Sequence, residues 1–395
     1  MADGTGLRTV LRVPGVPKLL TAQTFTVFGD TALILTLAVW VENRTGNSSA
    51  ASMTIFAFAA GVVLAPSAGG LVARRAPRRM MALANLAATG VVLSLLAADH
   101  GPLWLVYPIS ALYAFTGSVS AGVLVGYLRE LVPEPLRVPV NAEFQSLHQL
   151  LRLMSPVAGV WLLATGDITL VVLVVAASLV LGAALITLGP DVGVVPEPER
   201  RGRGGYGVLW SDPELRRISL LAVAAGAAQG FAQTLGFLVI QHSLHRAAEF
   251  IAVFVTIQSV AGLLSTRIGA IRRIARPELL VTIGLLLAGA GYAVILLPGL
   301  SPPLAAFVLV GAGLPWIRIG YTSALQQRGT PATATGVALA GLSLLSLVQT
   351  TFIAVGALLG LFVGWRILAA AMVVVLLSAA GSGVRHAGLK WSRAR

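Results

Sequence analysis

The chain alternates long apolar runs with short polar breaks, and this pattern predicts helices that cross a membrane. A helix needs about 20 apolar residues to span the hydrocarbon core of a bilayer. The pattern predicts twelve such spans, at 18–41, 50–72, 80–98, 103–127, 139–164, 168–188, 218–240, 248–266, 279–297, 304–325, 334–361 and 367–384. Because the breaks leave little room for soluble domains, we expect an all-α membrane protein.

A polar stretch between residues 189 and 217 divides the twelve spans into six and six. Its Pro, Glu, Arg and Gly residues are typical of a flexible linker. We therefore expect an amino-terminal six-helix bundle over residues 1–190 and a cytoplasmic linker loop over 191–217. A carboxy-terminal six-helix bundle with a short cytoplasmic tail is expected over 218–395.

The two halves share a short motif at equivalent helix ends. The pattern G-x-L-x-x-R closes span 2 from Gly69 to Arg74, and it closes span 8 from Gly262 to Arg267. A six-helix unit used twice predicts two pseudo-symmetric bundles. This is the architecture of secondary transporters, whose binding site lies near the bilayer midplane between the repeats.

Composition and charge agree with a membrane protein. The chain is 56% hydrophobic and 11% charged, with a mean hydropathy of +0.87, which excludes an ordinary water-soluble domain. A net charge of +13 suggests a nucleic-acid partner. However, alternate loops place nearly all basic residues on one side, and only Arg44, Arg246 and Arg366 on the other. This asymmetry predicts a multi-pass cell-membrane protein with both termini cytoplasmic and no nucleic-acid partner.

The basic residues and the Cys and His content predict which partners and cofactors the protein binds. The basic loops are expected to contact anionic lipid head groups. The chain has no Cys, and with five His residues it offers no convincing metal-ligand pattern, so we expect neither a disulfide nor a metal or cofactor. We expect the protein to act as a monomer.

With its repeated six-helix unit, the chain resembles the major facilitator superfamily, and the resemblance covers essentially the whole chain. Four segments carry a closer resemblance to one branch. They are Gly29-Asp30 in span 1, the loop 45–48, the loop 66–79, and the stretch 133–159. Within the superfamily, the chain resembles the macrolide-efflux and enterobactin-exporter branch. The resemblance implies gate residues in the signature loop and in the antiporter motif G-P-x-x-G of span 5, namely Gly69, Leu71, Arg74, Arg78, Pro156 and Gly159.

The superfamily's signature loop carries an Asp that is implied to pin the loop to the neighbouring half when the cytoplasmic gate is shut. This chain has Ala73 or Arg74 at that position, depending on the alignment. Repulsion between the basic loops of the two halves then predicts that their cytoplasmic ends separate at rest. If the ends are closed instead, Glu130 or Glu134 is the expected replacement for the latch.

Charged side chains inside a bilayer are costly and therefore mark candidate functional sites. In span 1, Gln23, Thr26 and Asp30 follow a helical spacing and share one face, which we expect to line a water-filled cavity where Gln23 and Thr26 bind substrate. Asp30 is the candidate proton-coupling residue. The alternative is that Asp30 only pairs with Arg152 to hold two helices together.

Span 5 carries a polar stripe of Asn141, Gln145, His148 and Arg152. We expect Gln145 to bind substrate and Arg152 to pair with Asp30, either structurally or in coupling. His148 is a candidate proton relay because imidazole titrates near neutral pH, and its alternative role is a hydrogen-bonded packing residue.

In the carboxy-terminal half, the candidate substrate-binding residues are Gln229, Gln233, Trp316, Arg318 and Gln349. No acidic residue lies at mid-depth in this half, so Arg318 is expected to meet a ligand anion or backbone carbonyls. The alternative is that its side chain extends to the cytoplasmic surface.

Three functions fit this sequence. The first, favoured by the resemblance and by Asp30, is a proton-coupled exporter of drug-like or natural-product molecules by alternating access. The second is an organic-anion or nutrient porter that uses Arg152 and Arg318. The third, from another class, is an uncoupled lipid flippase or a transporter-shaped receptor. No catalytic residues are expected.

Overall fold

Helices make up the regular structure of the described chain. The computed structural model describes residues 7–46, 48–72, 75–165, 167–191, 205–242, 251–267, 276–328, 334–359 and 362–393. Within these ranges no strand is present. Nine helices in the described residues are long and apolar enough to cross a membrane.

The amino-terminal half contains six long helices that follow the first six predicted spans. They are α1 (Val16–Thr45), α2 (Ser48–Leu64), α3 (Pro77–Leu93), α4 (Val106–Leu131), α5 (Arg137–Thr165) and α6 (Ile168–Thr187). A 3₁₀ turn at Ala65–Ala68 and a short helix at Gly69–Val72 continue α2. Asp167 begins α6 because its carboxylate accepts the backbone N–H of Ile168.

The carboxy-terminal half contains another six. They are α7 (Pro213–His242), α8 (Ile251–Arg267), α9 (Pro277–Val294), α10 (Ser301–Arg328), α11 (Ala334–Leu359) and α12 (Trp365–Arg393). The predicted linker is partly helical, since Gly205–Ser211 forms a short helix. Asp212 then caps α7 by accepting the N–H groups of Glu214 and Leu215, so α7 begins earlier than the sequence pattern indicated. The expected all-α membrane fold is confirmed.

Each half has its own apolar core. Two clusters of buried side chains hold α1 to α6 together, and one large cluster holds α7 to α12 together. The halves meet along α2, α4 and α5 on one side and α8, α10 and α11 on the other. A small cluster around Val138, Ala142 and Trp316 lies at this junction.

The helix ends that carry most basic residues lie together. We call this end of the molecule, marked by Arg78, Arg137, Arg267 and Arg328, the basic end. Hydrogen bonds and ion pairs bring these ends into contact: Arg137 Nη1 donates to the carbonyl of Gln326 at 3.4 Å, and Arg267 Nη1 lies 3.2 Å from Glu143 Oε2. The sequence predicts that this end is cytoplasmic.

Candidate functional site

A polar cavity of about 270 Å³ lies between the two halves at the middle of the helices. Polar side chains of five helices line it together with residues of α10. The lining residues are Thr31, Gln145, His148, Gln149, Arg152, Gln229, Gln258, Ser259, Gly311, Leu314, Pro315, Arg318 and Gln349. Among the described residues, five glutamine amides and two guanidinium groups thus share one cavity.

Each half contributes one arginine to this polar cavity. Arg152 of α5 and Arg318 of α10 both have exposed side chains, although they lie near the centres of their helices. No carboxylate lines the cavity in the described part of the chain. The cavity therefore has a positive charge with no acidic side chain to balance it.

The local sequence of α10 explains how Arg318 reaches the cavity. Pro315 lies inside α10 and has no N–H to donate to the carbonyl of Gly311, one turn earlier. Gly311 packs so closely on the α8 backbone at Gln258 that a Cβ would clash there. This close approach brings α8 and α10 together and places Gln258 and Arg318 on the same cavity.

A second cavity of about 260 Å³ adjoins the first, and both are lined by Gln145, His148 and Arg318. Its other walls are mainly apolar and come from α2, α4, α5, α10 and α11. The apolar lining residues are Val62, Ala121, Leu124, Val125, Leu128, Phe144, Leu339, Leu342 and Leu345. Arg318 thus lies where a polar and an apolar chamber meet.

The halves are joined between these cavities and the basic end. Asn141 Nδ2 donates to Ser323 Oγ and to Gln326 Oε1, both at 2.8 Å, and Gln326 Nε2 donates to the carbonyl of Val125 at 3.3 Å. Ser146 Oγ donates to Thr266 Oγ1 at 2.6 Å. We call this set of contacts the gate, and in this structure it is closed.

A buried carboxylate completes the gate. The Glu143 side chain is 4% exposed and pairs at 3.2 Å with Arg267, whose side chain is 49% exposed. The expectation that the basic ends separate is therefore wrong for this structure. Glu130 contacts its neighbour Arg129 within α4 at 3.9 Å, so the acidic group between the halves is Glu143 rather than either expected replacement.

The α1 stripe does not face the cavity, contrary to expectation. Thr26 Oγ1 accepts from Asn85 Nδ2 of α3 at 2.8 Å, and Asp30 Oδ1 accepts from Tyr113 of α4 at 2.6 Å. Gln23 is buried outside the lining of both cavities. The stripe instead packs inside the amino-terminal half, where buried polar groups satisfy each other.

The expected pair between Asp30 and Arg152 is also absent, since the Asp30 carboxylate meets Tyr113 and the Arg152 side chain lines the polar cavity. Trp316, which was expected to bind substrate, lines neither cavity. It is buried against Val138 and Ala142, and its indole N–H lies 3.4 Å from the carbonyl of Ser265. Because Trp316 and Arg318 lie two residues apart on a helix, they point in different directions.

Two residues of the predicted gate motifs, Arg78 and Gly159, pack within the amino-terminal half. Arg78 donates to the carbonyls of Thr187 and Gly189 and pairs with Asp191 at 2.8 Å, so it binds the end of α6 within its own half. Gly159 packs on the α1 backbone at Ala32, where a side chain would clash with Thr36.

The remaining motif positions are Gly69, Leu71, Arg74 and Pro156. Gly69 faces open space, because a side chain there would meet no neighbouring helix within 4 Å in the described chain. Arg74 and the side chains of Leu71, Pro156 and Gln233 lie outside the described residues.

Sequence reasoning found Gln145, His148, Arg152, Gln229, Arg318 and Gln349 in the cavity lining, and it missed Thr31, Gln149, Gln258 and Ser259. Gln149 lies one turn after Gln145 on the same stripe, and Gln258 is a lone amide in an apolar helix. The same search for polar residues at mid-depth, applied to every span, would have found both.

Comparison with known proteins assigns the family. The sequence pattern of the Major Facilitator Superfamily matches residues 19–348. The chain belongs to the major facilitator superfamily. The predicted class, a membrane transporter of small molecules rather than an enzyme, is therefore confirmed. No curated protein matches the chain by sequence.

Solved structures of superfamily members have the same fold. The human organic anion transporter MFSD10 (TETRAN) has a TM-score of 0.76 at 14% identity, covering 93% of this chain and 98% of that one. A bacterial homologue of the iron transporter ferroportin, in its outward-facing state, has a TM-score of 0.74 at 18% identity, covering 94% and 99%. The transporter FucP, in the outward conformation, has a TM-score of 0.72 at 16% identity, covering 93% and 98%.

Proposed function

We propose that this superfamily member transports organic anions by alternating access, with Arg152 and Arg318 as the anion-binding residues. The observation that supports this is one exposed arginine from each half in a single cavity whose described lining contains no carboxylate. A positive charge at mid-membrane depth is costly unless a partner compensates it. A substrate anion supplies that partner and contacts both halves at once.

The rest of the lining suits such a substrate. Glutamine amides offer both donors and acceptors, and they orient carboxylate, hydroxyl or carbonyl groups without adding charge. Arginine binds carboxylates in a bidentate manner, which adds geometric specificity. The similarity in fold to a human organic anion transporter agrees with this proposal.

Alternating access requires a gate on each side of the site, and the closed gate at the basic end is one of them. We assign the basic end to the cytoplasm from the charge asymmetry, and the present conformation is then closed toward the cytoplasm. The likeness to two structures in outward conformations supports this assignment.

Asp30 supports a second element of the proposal, namely coupling to protons. Its carboxylate accepts a hydrogen bond from Tyr113 and forms no ion pair in the described chain. A carboxyl group inside a membrane helix without a cationic partner is a candidate for reversible protonation. Proton-driven export, as in the branch that the sequence resembles, remains our prediction for the direction of transport.

The test of anion binding is a charge series on the purified protein. Ligands that bind the native state raise its thermal stability, so carboxylates and sulfonates should stabilise it more than neutral or cationic analogues of equal size. Arg318→Gln and Arg152→Gln should each weaken anion binding by about 10- to 100-fold, since hydrogen bonds to charged groups contribute about 1.5–3 kcal/mol.

Arg366→Gln is the matched control, because Arg366 stacks on its own neighbour Trp365 outside both cavities. Its anion binding should match the wild type. Equal stabilisation by cations and anions, unchanged in the two cavity variants, would contradict the proposal.

A further inference from the structure

The two adjoining chambers suggest more about the substrate than its charge. Arg318, Gln145 and His148 line both chambers, and the second chamber is otherwise mainly apolar. Typical ligand sites have volumes of roughly 300–1,000 Å³. Each chamber alone is smaller than that, at about 270 and 260 Å³, whereas the two together fall within this range.

The wall of the second chamber is suited to an apolar group. Leu124 and Leu128 of α4, Phe144 of α5 and Leu339 of α11 line it, and all four side chains are mostly buried. In the described lining, the charged side chain is that of Arg318, at the boundary with the polar chamber, and the other titratable side chains are those of His148, at the same boundary, and Tyr321. A second charge placed in this chamber would therefore be desolvated without a partner.

We propose that the substrate is an amphipathic monoanion whose charged group binds at Arg318 while its alkyl or aryl part occupies the apolar chamber. This inference rests on the proposed function and adds the polarity of the substrate along its length. The apolar part contacts α4 and α11, which belong to different halves and pack together toward the gate. Opening of the gate separates these walls and releases the apolar part.

The first test compares two series of ligands on the purified wild-type protein. Straight-chain monocarboxylates from butyrate to octanoate should bind about fourfold more tightly for each added methylene until the chamber is full, which corresponds to about 0.8 kcal/mol per buried methylene. Dicarboxylates of the same lengths should show no such gain, because with one carboxylate at Arg318 the second would either enter the apolar chamber without a partner or turn to Arg152 and leave the apolar chamber unfilled.

The second test fills the apolar chamber with a larger side chain. The side chain of Ala121 in α4 is exposed in the apolar chamber, so Ala121→Phe should remove most of the gain in affinity between butyrate and octanoate. Ala87→Phe is the control, since Ala87 is exposed on α3 beside the exposed Leu83 and Leu86, outside both cavities. Ligands partition into detergent or lipid to the same extent with both variants, so a difference between the two variants reports binding in the apolar chamber.

The outcomes separate this inference from the proposed function. If carboxylate binding depends on Arg318 but not on chain length, or if dicarboxylates gain affinity with length, the amphipathic substrate is wrong and anion transport stands. A chain-length gain that Ala121→Phe leaves intact also overturns the inference. If no carboxylate binding depends on Arg318, the proposed function itself fails.

Discussion

Charged residues at mid-depth in this protein have two kinds of surroundings. Arg152 and Arg318 lie in a polar cavity among glutamine amides, where water or a ligand reaches them. Asp30 lies between α1 and α4, where the hydroxyl of Tyr113 donates to it at 2.6 Å. At the scale of single residues, these different surroundings are the reason for proposing a binding role for the arginines and a proton-binding role for Asp30.

Asp30→Asn should abolish proton-coupled transport while exchange of substrate across the membrane stays at least partly intact. The amide keeps the size of the side chain and its hydrogen bonding to Tyr113, but it does not titrate. Proteoliposomes with an imposed pH gradient measure uphill transport, and counterflow measures exchange. Asp167→Asn is the matched control, because Asn also caps helices well. Uphill transport by Asp30→Asn at the wild-type rate would rule out the proposed role.

At the scale of helices, the gate depends on the close approach of α4 to α11. A side chain at Gly122 would clash with Leu339, and one at Gly126 would clash with Thr335. Small residues at such crossings let helix backbones approach closely in membranes. The two glycines, one turn apart, thus form the surface on which the halves close.

Gly126→Ala should therefore hold the gate partly open, even though Ala favours helices more than Gly does by about 1 kcal/mol. Gly90→Ala in α3 is the matched control, since a Cβ there meets no atom within 4 Å, and it should leave the gate unchanged or raise the thermal stability slightly. Spin labels on the two sides of the basic end should report longer distances in Gly126→Ala only. Identical distances in both variants would contradict this account of α4 packing.

At the scale of the whole molecule, the ion pair between Glu143 and Arg267 connects the two halves at the basic end. Glu143 is buried while Arg267 is half-exposed, so the arginine remains solvated when the pair breaks. Such partly exposed pairs contribute about 1 kcal/mol or less. This is enough to bias two conformations of similar free energy, because about 1.4 kcal/mol changes an equilibrium tenfold.

Glu143→Gln should shift the population toward an open basic end by up to about fivefold, since the amide retains a hydrogen bond but no charge. The chain has no Cys, so single cysteines at Arg79 and Arg276 can be spin-labelled specifically and their distance distribution measured. Glu134→Gln, an exposed acid at the same end, is the control. A distribution unchanged by Glu143→Gln would mean that the polar network around Asn141 closes the gate by itself.

The orientation in the membrane is a prediction for the whole chain. Reporter fusions after Gly101 and Gly364 should be found outside the cytoplasm, and fusions after Arg79 and Arg203 inside it, because basic loops are retained in the cytoplasm. A single reversed loop in the native protein would contradict the assignment of the basic end.

The positions of the helices could be predicted from the sequence, because a helix must hide its backbone polar groups from lipid along its full length. The lining residues were predicted in part. Gln145, Arg152 and Arg318 are polar at mid-depth and do line the cavity, whereas Gln23 and Thr26 are also polar at mid-depth and pack inside one half. Helical spacing shows which residues share a face, but it does not show which neighbour that face meets.

The sequence by itself determined the class of protein, the twelve helices and the side on which the basic residues gather, since hydrophobicity and charge act on each segment independently of its neighbours. Only the tertiary structure decided that Tyr113, rather than Arg152, is the partner of Asp30 and that Glu143 pairs with Arg267. Only it brought Arg152 and Arg318 into one cavity. These pairings join residues far apart in the chain, so they depend on how twelve helices pack, which no local pattern records.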